Sequence, residues 1–194
     1  MLRPHYAANV WPQNLRPHGD ERNWNVDEPF QDWWARCRSR LGHLHPELCE
    51  QWIHGHWYDS PHRYLDLDHI GWERVLWDAR TFLDRVASGT DDLLDPSNDF
   101  AANYRPGSGE PSQTARALNA GCWDFAPVIM PTPNGFVNHD RQPVQRPYLL
   151  IEGHNRRRYL NALVHRGQTF SELPVFIIAP HPSGKHAFSF ADAG

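Results

Sequence analysis

The spacing of apolar positions changes several times along the chain, and each change predicts an element. Over residues 29–57 the apolar residues recur at helical spacing: Phe30, Trp33, Trp34 and Cys37, then Leu48, Trp52 and Ile53. The stretch from Gly42 to Pro46 interrupts that pattern, which predicts two helices rather than one. Residues 59–63 read as a turn, and Leu65, Leu67 and residues 70–76 as extended chain. Asp78 precedes a helix over 79–86, with Phe82, Leu83 and Val86 on one face and Ser88-Gly89 as its stop. A short helix is expected over 112–119, and an apolar strand over 126–132, followed by the turn-forming Pro133-Asn134-Gly135. A polar excursion, 136–146, leads to a strand over 148–152, a basic helix over 154–166 that Gly167 ends, and a last strand over 175–179.

The remaining segments lack periodicity. Residues 1–27, rich in Pro, Asn, Arg and His, read as an extended or poorly ordered arm. Residues 90–111 are polar, hold Asp91, Asp92, Asp95, Gly107 and Gly109, and read as a long functional or mobile loop. The expected organisation is therefore an arm (1–27), a helical extension (28–64), an α/β (α+β) domain with a small mixed sheet (65–180) and a tail (181–194).

Composition sharpens this picture. The 194 residues suffice for one packed domain with an extension. Nine tryptophans are many for this length; Trp33, Trp34, Trp52, Trp72 and Trp77 are expected in a core. A formal charge of −4 excludes a generally basic nucleic-acid binder, although Arg156, Arg157, Arg158 and Arg166 suggest a local basic patch. Cys37, Cys49 and Cys122 offer neither a disulfide framework nor a zinc-ribbon spacing, and Cys122 reads as a buried structural thiol. There is no signal-peptide pattern and no apolar run long enough to cross a bilayer, so a soluble, cytoplasmic protein without membrane partners is expected.

The candidate chemistry is concentrated in Glu152-Gly153-His154-Asn155-Arg156, where the strand over 148–152 passes into the basic helix. Glycine at such a junction allows close approach of backbone or ligand. The first turn of a helix offers N–H groups and a positive dipole end, which suit a phosphate. Gly153 and the amides of His154 and Asn155 are candidates to cradle phosphate oxygens, and Arg156 and Arg158 to pair with them. His154 is a candidate phosphate donor or acid/base, and Glu152 a candidate proton acceptor or Mg²⁺ ligand. The plainer alternatives are that Glu152 pairs with Arg158 or Arg74, that His154 caps the helix, and that Gly153 only turns the chain.

Over residues 65–180 the motif and the element order resemble the ParB/sulfiredoxin superfamily, with its strand of the type Pro-Val-Ile, its strand ending in Glu-Gly, its basic helix and its closing Pro-Val-Phe-Ile-Ile. Glu152-Gly153-His154-Asn155-Arg156 is most similar to the Asp-Gly-His-His-Arg form of the free-serine kinases. Gly153, Arg156 and Arg158 match the partition proteins' Gly-Glu-Arg-Arg-x-Arg. His154 stands where sulfiredoxins have their reactive cysteine. The resemblance implies a compact domain binding a nucleotide (ATP/ADP or CTP) with Mg²⁺, and a phosphotransferase or phosphohydrolase acting on a small-molecule or macromolecular acceptor. It equally implies a nucleotide-gated module that contacts DNA or protein, or a nuclease or mobile-element or defence component. Asp66, Asp68 and Glu73 are lesser candidates for a second carboxylate.

Other features carry less. His54, His56 and His62 do not share a helical face with a completing Cys or carboxylate, so no metal site is expected. Trp24, Trp33, Trp34, Trp52, Trp57 and Trp72, interleaved with Arg36, Arg38 and Arg40, suit either stacking on single-stranded nucleic acid or a homo-oligomer interface of aromatic helices.

Overall fold

A computed structural model describes residues 2, 8–89 and 94–180. Asp91, Asp92 and the expected tail from 181 lie outside the described residues. Among the described residues the protein is mixed α/β, with six helices and a five-stranded mixed sheet. Among the described residues the chain divides into two compact units, an N-terminal unit of 8–73 with 178–180 and a second unit of 74–177 with Leu2.

In the N-terminal unit, Gly19–Asp20 (β1) and Asn25–Val26 (β2) form a small antiparallel hairpin. Helix α1 (Phe30–Leu41) buries Trp33, Cys37 and Leu41, one stripe of its surface. Helix α2 (Pro46–Leu48) has Pro at its first turn and the His45 ring as cap, and continues as a π-helical segment over Cys49–His54. The helix break at 42–46 is thus present, but residues 8–27 are no loose arm. Trp11 and Leu15 are buried, the Trp11 indole donates to the Leu65 carbonyl (3.0 Å), and the Trp33 indole to that of Leu15 (2.6 Å). Arg36 then closes a clasp: its Nε and Nη2 donate to the Glu28 carboxylate at 2.9 and 2.7 Å, and Nη2 also reaches the Arg16 carbonyl at 2.5 Å. Composition hid this order, because two indole N–H groups and one guanidinium hold a stretch with no periodicity of its own.

The expected domain start near residue 65 also moves. Leu65 and Leu67 are buried in the N-terminal unit, Arg40 pairs with Asp68, and the Trp72 indole donates to the His43 carbonyl (2.8 Å). Strand β3 (Ile70–Trp77) begins there and runs into the second unit.

In the second unit Asp78 caps α3 (Ala79–Arg85), which passes directly into the three-residue strand β4 (Val86–Ser88). Part of the expected loop over 90–111 is helical: Asp95 accepts from the Ser97 and Asn98 amides and caps α4 (Pro96–Ala101). The six-residue helix, with Ser97, Asn98 and Asp99 at its centre, is too short to show an apolar stripe in the sequence. Ser112 caps α5 (Gln113–Asn119). Then come β5 (Val128–Pro131), the short pair β6 (Phe136–Val137) and β7 (Pro143–Val144), β8 (Tyr148–Glu152), α6 (His154–His165) and β9 (Leu173–Pro180).

The sheet order is β3-β9-β5-β8-β4. Strand β4 is parallel to β8, β5 antiparallel to β8 and parallel to β9. The inner strands are runs of buried apolar residues, as expected of strands covered on both faces. Helix α6 buries Arg157, Tyr159, Leu160, Ala162 and Leu163, and Gly167, at φ 86°, ends it.

Candidate functional site

Strand β8 ends at Glu152, and Gly153 turns the chain into α6 with φ 106° and ψ 25°. A Cβ on Gly153 would stand 3.1 Å from the Pro127 Cβ, so both the conformation and the neighbour call for glycine. Because β5 runs antiparallel to β8 with Val128 opposite Glu152, the segment entering β5 lies at the same end as Gly153. That pairing brings Asp124, Phe125 and Pro127 to the first turn of the helix.

Arg156 sits at the centre of this cluster. Its Nε donates to Asp124 Oδ1 at 2.9 Å, its Nη1 lies 3.5 Å from Glu152 Oε1, and its guanidinium lies 5.5 Å from the centroid of the Phe125 ring. Asp124 Oδ2 accepts from the Thr114 hydroxyl of α5 at 2.9 Å. The three charged side chains are only 12% (Arg156), 8% (Asp124) and 15% (Glu152) exposed. Asp124 is therefore the second carboxylate beside Glu152. Asp66, Asp68 and Glu73 lie in the N-terminal unit, where Asp66 meets His69 at 2.8 Å and Asp68 meets Arg40. Asp124 has no local motif around it; only the antiparallel pairing of β5 with β8, over 32 residues of separation, brings it to Arg156.

The expected four-arginine patch does not form. Arg156 is engaged by two carboxylates, Arg157 is buried, Arg158 meets Asp99 of α4 at 3.0 Å, and the Arg166 guanidinium lies 3.6 Å above the Phe100 ring. Asn155, by contrast, is exposed on the first turn, and His154 is half-buried beside it. The helices α3, α4 and α5 each have a side-chain cap (Asp78, Asp95, Ser112); α6 starts on Gly153 without one and has no acid in its first turn.

The chain matches no protein-family model, no curated protein and no solved structure.

Among the described residues no group of three or more His, Cys, Asp and Glu is arranged to hold a metal, and no helix is long and apolar enough to cross a membrane. His54 Nε2 contacts the Glu28 carbonyl at 2.8 Å, and His56 meets Asp59 at 3.2 Å. Burial pushes the His54 imidazole below its ordinary value. Trp33, Trp52 and Trp57 are core residues, which removes them from any base-stacking or oligomer surface, while Trp34, Trp72 and Trp77 are half-buried. Cys122 is exposed, contrary to the expected buried thiol, because it follows the left-handed Gly121 at the end of α5.

Proposed function

We propose that the protein is a ParB/sulfiredoxin-like nucleotide binder whose ligand phosphates lie over the first turn of α6. The observation that carries the reading is the turn itself: a left-handed Gly153 opening a 12-residue helix that has no side-chain cap, no acid in its first turn and an exposed Asn155. Gly153, His154 and Asn155 would cradle the phosphates, with Arg156 held beside them. Arg158, turned to Asp99, is a weaker contributor.

The cluster of Arg156 with Glu152 and Asp124 carries one more negative than positive charge. That favours a magnesium-complexed nucleotide over bare phosphate, with the ion arriving on the nucleotide and Glu152 as the carboxylate to meet it. Phosphoryl transfer would use Glu152 as proton acceptor. Its carboxylate is already engaged by the Arg156 guanidinium at 3.5 Å, and this favours the second reading, a nucleotide-gated module with little turnover.

The test is a thermal-shift panel with ATP, ADP, CTP and GTP, with and without Mg²⁺, on wild type and Asn155→Asp. Arg156→Ala would be a poor control, because it strips two carboxylates of their partner. An acid at position 155 suits the helix dipole, so Asn155→Asp keeps or raises the ligand-free melting temperature while repelling phosphate. A Mg²⁺-dependent rise with one nucleotide, lost in Asn155→Asp, supports the proposal. No rise, or a rise indifferent to Asn155→Asp, refutes it. Phosphate release by wild type and Glu152→Gln then separates enzyme from switch.

A further inference from the structure

The hairpin of β1 and β2 holds a tryptophan in solvent, in a backbone conformation that bulky residues avoid. Trp24 has φ 52° and is 68% exposed, whereas Trp11, Trp33, Trp52 and Trp57 of the same unit are buried. A bulky side chain at positive φ is strained, so the surrounding turn must enforce it. It does so with its own polar groups. Asp20 accepts from the Arg22 amide at 2.9 Å and from Asn23 Nδ2 at 2.6 Å, and the Trp24 amide donates to the Glu21 carbonyl at 3.4 Å. Asn25 Nδ2 donates to Asp27 at 2.5 Å, and Gly19 lets the two strands approach where a Cβ would collide with the Asn25 carbonyl. Strain kept in this way at a surface aromatic points to a contact made elsewhere.

The same unit contains a socket of matching chemistry. At the base of the hairpin lies a cavity of about 530 Å³, lined by Asn14, Arg16, Pro17, His18, Arg36 and Tyr58. Arg16 stacks over the Tyr58 ring at 5.0 Å from its centroid, and its Nη2 reaches Glu21 of its own hairpin at 3.3 Å with both side chains accessible. The turn, with Asp20 and Glu21 against Arg22, is net negative, the cavity rim carries Arg16, and one contact between the two, Glu21 with Arg16, already exists within the chain. An indole placed over the Arg16 guanidinium, which is itself backed by the Tyr58 ring, gains cation–π contact.

We propose that the occupant of this cavity is a second copy of the chain: a two-fold dimer in which each Trp24 enters the other copy's cavity. The tip and the cavity lie on one unit, and a two-fold axis that exchanges both contacts reciprocally closes the assembly after two copies. Trp24 is its central anchor, and the accessible Glu21 carboxylate facing Arg16 lies at its rim.

The experiment is sedimentation equilibrium of the full chain over about a hundredfold range of concentration. Wild type should pass from monomer to dimer mass. Trp24→Asn accepts the left-handed conformation readily, so its monomer should melt no lower than wild type while its dimer weakens at least about tenfold. Glu21→Arg and Arg16→Glu should each weaken the dimer, and mixing the two variants should restore it, because the swapped charges then meet only between copies. Monomer mass at every concentration overturns the proposal. So does a dimer indifferent to Trp24→Asn and Glu21→Arg, which would place the interface elsewhere.

Discussion

Replacing Gly153 with Ala measures how strictly the candidate site depends on its turn. Two costs act together. At φ 106° an L-residue is held outside its ordinary conformations, which costs about 1–2 kcal/mol. The new Cβ would stand 3.1 Å from the Pro127 Cβ and 3.3 Å from its Cα, which adds about 1 kcal/mol of overpacking. The smaller entropy of the unfolded alanine chain offsets about 0.5 kcal/mol, so the net loss is about 2 kcal/mol. Gly167→Ala is the matched control: its φ is 86° and nothing lies within 4 Å of its Cβ position, so it carries the backbone cost alone, about 1 kcal/mol. Urea unfolding of the three proteins gives both numbers. A loss at Gly153 no larger than that at Gly167 would refute the argument that Pro127 fixes the glycine, and would free Gly153 for a purely ligand-driven role.

Three further outcomes follow from the ion pairs and thiols. Arg156→Ala should cost about 2–3 kcal/mol, because it removes the guanidinium that both Asp124 and Glu152 contact largely out of water, and Asp124→Asn should cost less; chemical denaturation of both checks the order. The hydrogen bonds from Arg36, joined by the His18 amide, hold the Glu28 carboxyl down to about 2, so its contribution is present above the ordinary glutamate value and is lost as pH falls from about 4.5 toward 2. Allowing for the partly exposed Arg36, that contribution is about 2 kcal/mol, and the unfolding free energies of wild type and Glu28→Gln should differ at pH 7 and converge near pH 2. Burial pushes the Cys37 and Cys49 thiols up, so an aromatic disulfide reagent should label Cys122 in the native protein and reach the other two only on unfolding, read as released chromophore.

What the sequence revealed and what it hid divide along a physical line. The strand, glycine and helix at 148–166 were legible because a continuous apolar run closed by Glu-Gly, and then an apolar period of 3.6, are local properties. Helix α4 was not, since its six residues are too few to carry an apolar period. Asp124 was invisible for a different reason: its partner is 32 residues away and the pairing is made by the sheet. Likewise Arg156 reads in the sequence as a phosphate partner, because its bond to Asp124 exists only in three dimensions. The order of residues 8–27 rests on Trp11, Leu15 and the Glu28–Arg36 clasp, single long-range contacts that leave no pattern in the chain.

The position of β9 has a consequence for synthesis on the ribosome. It lies between β3 and β5 in the sheet, yet it is the last described strand to be made. Until the chain has been translated through Pro180, β3 and β5 lack the strand that joins them, and the apolar residues Val128, Ile129 and Met130 lack a neighbour on that side. Nascent chains stalled before residue 173 should therefore stay protease-sensitive over the strands and engage holding chaperones, and should compact only when the final strand emerges.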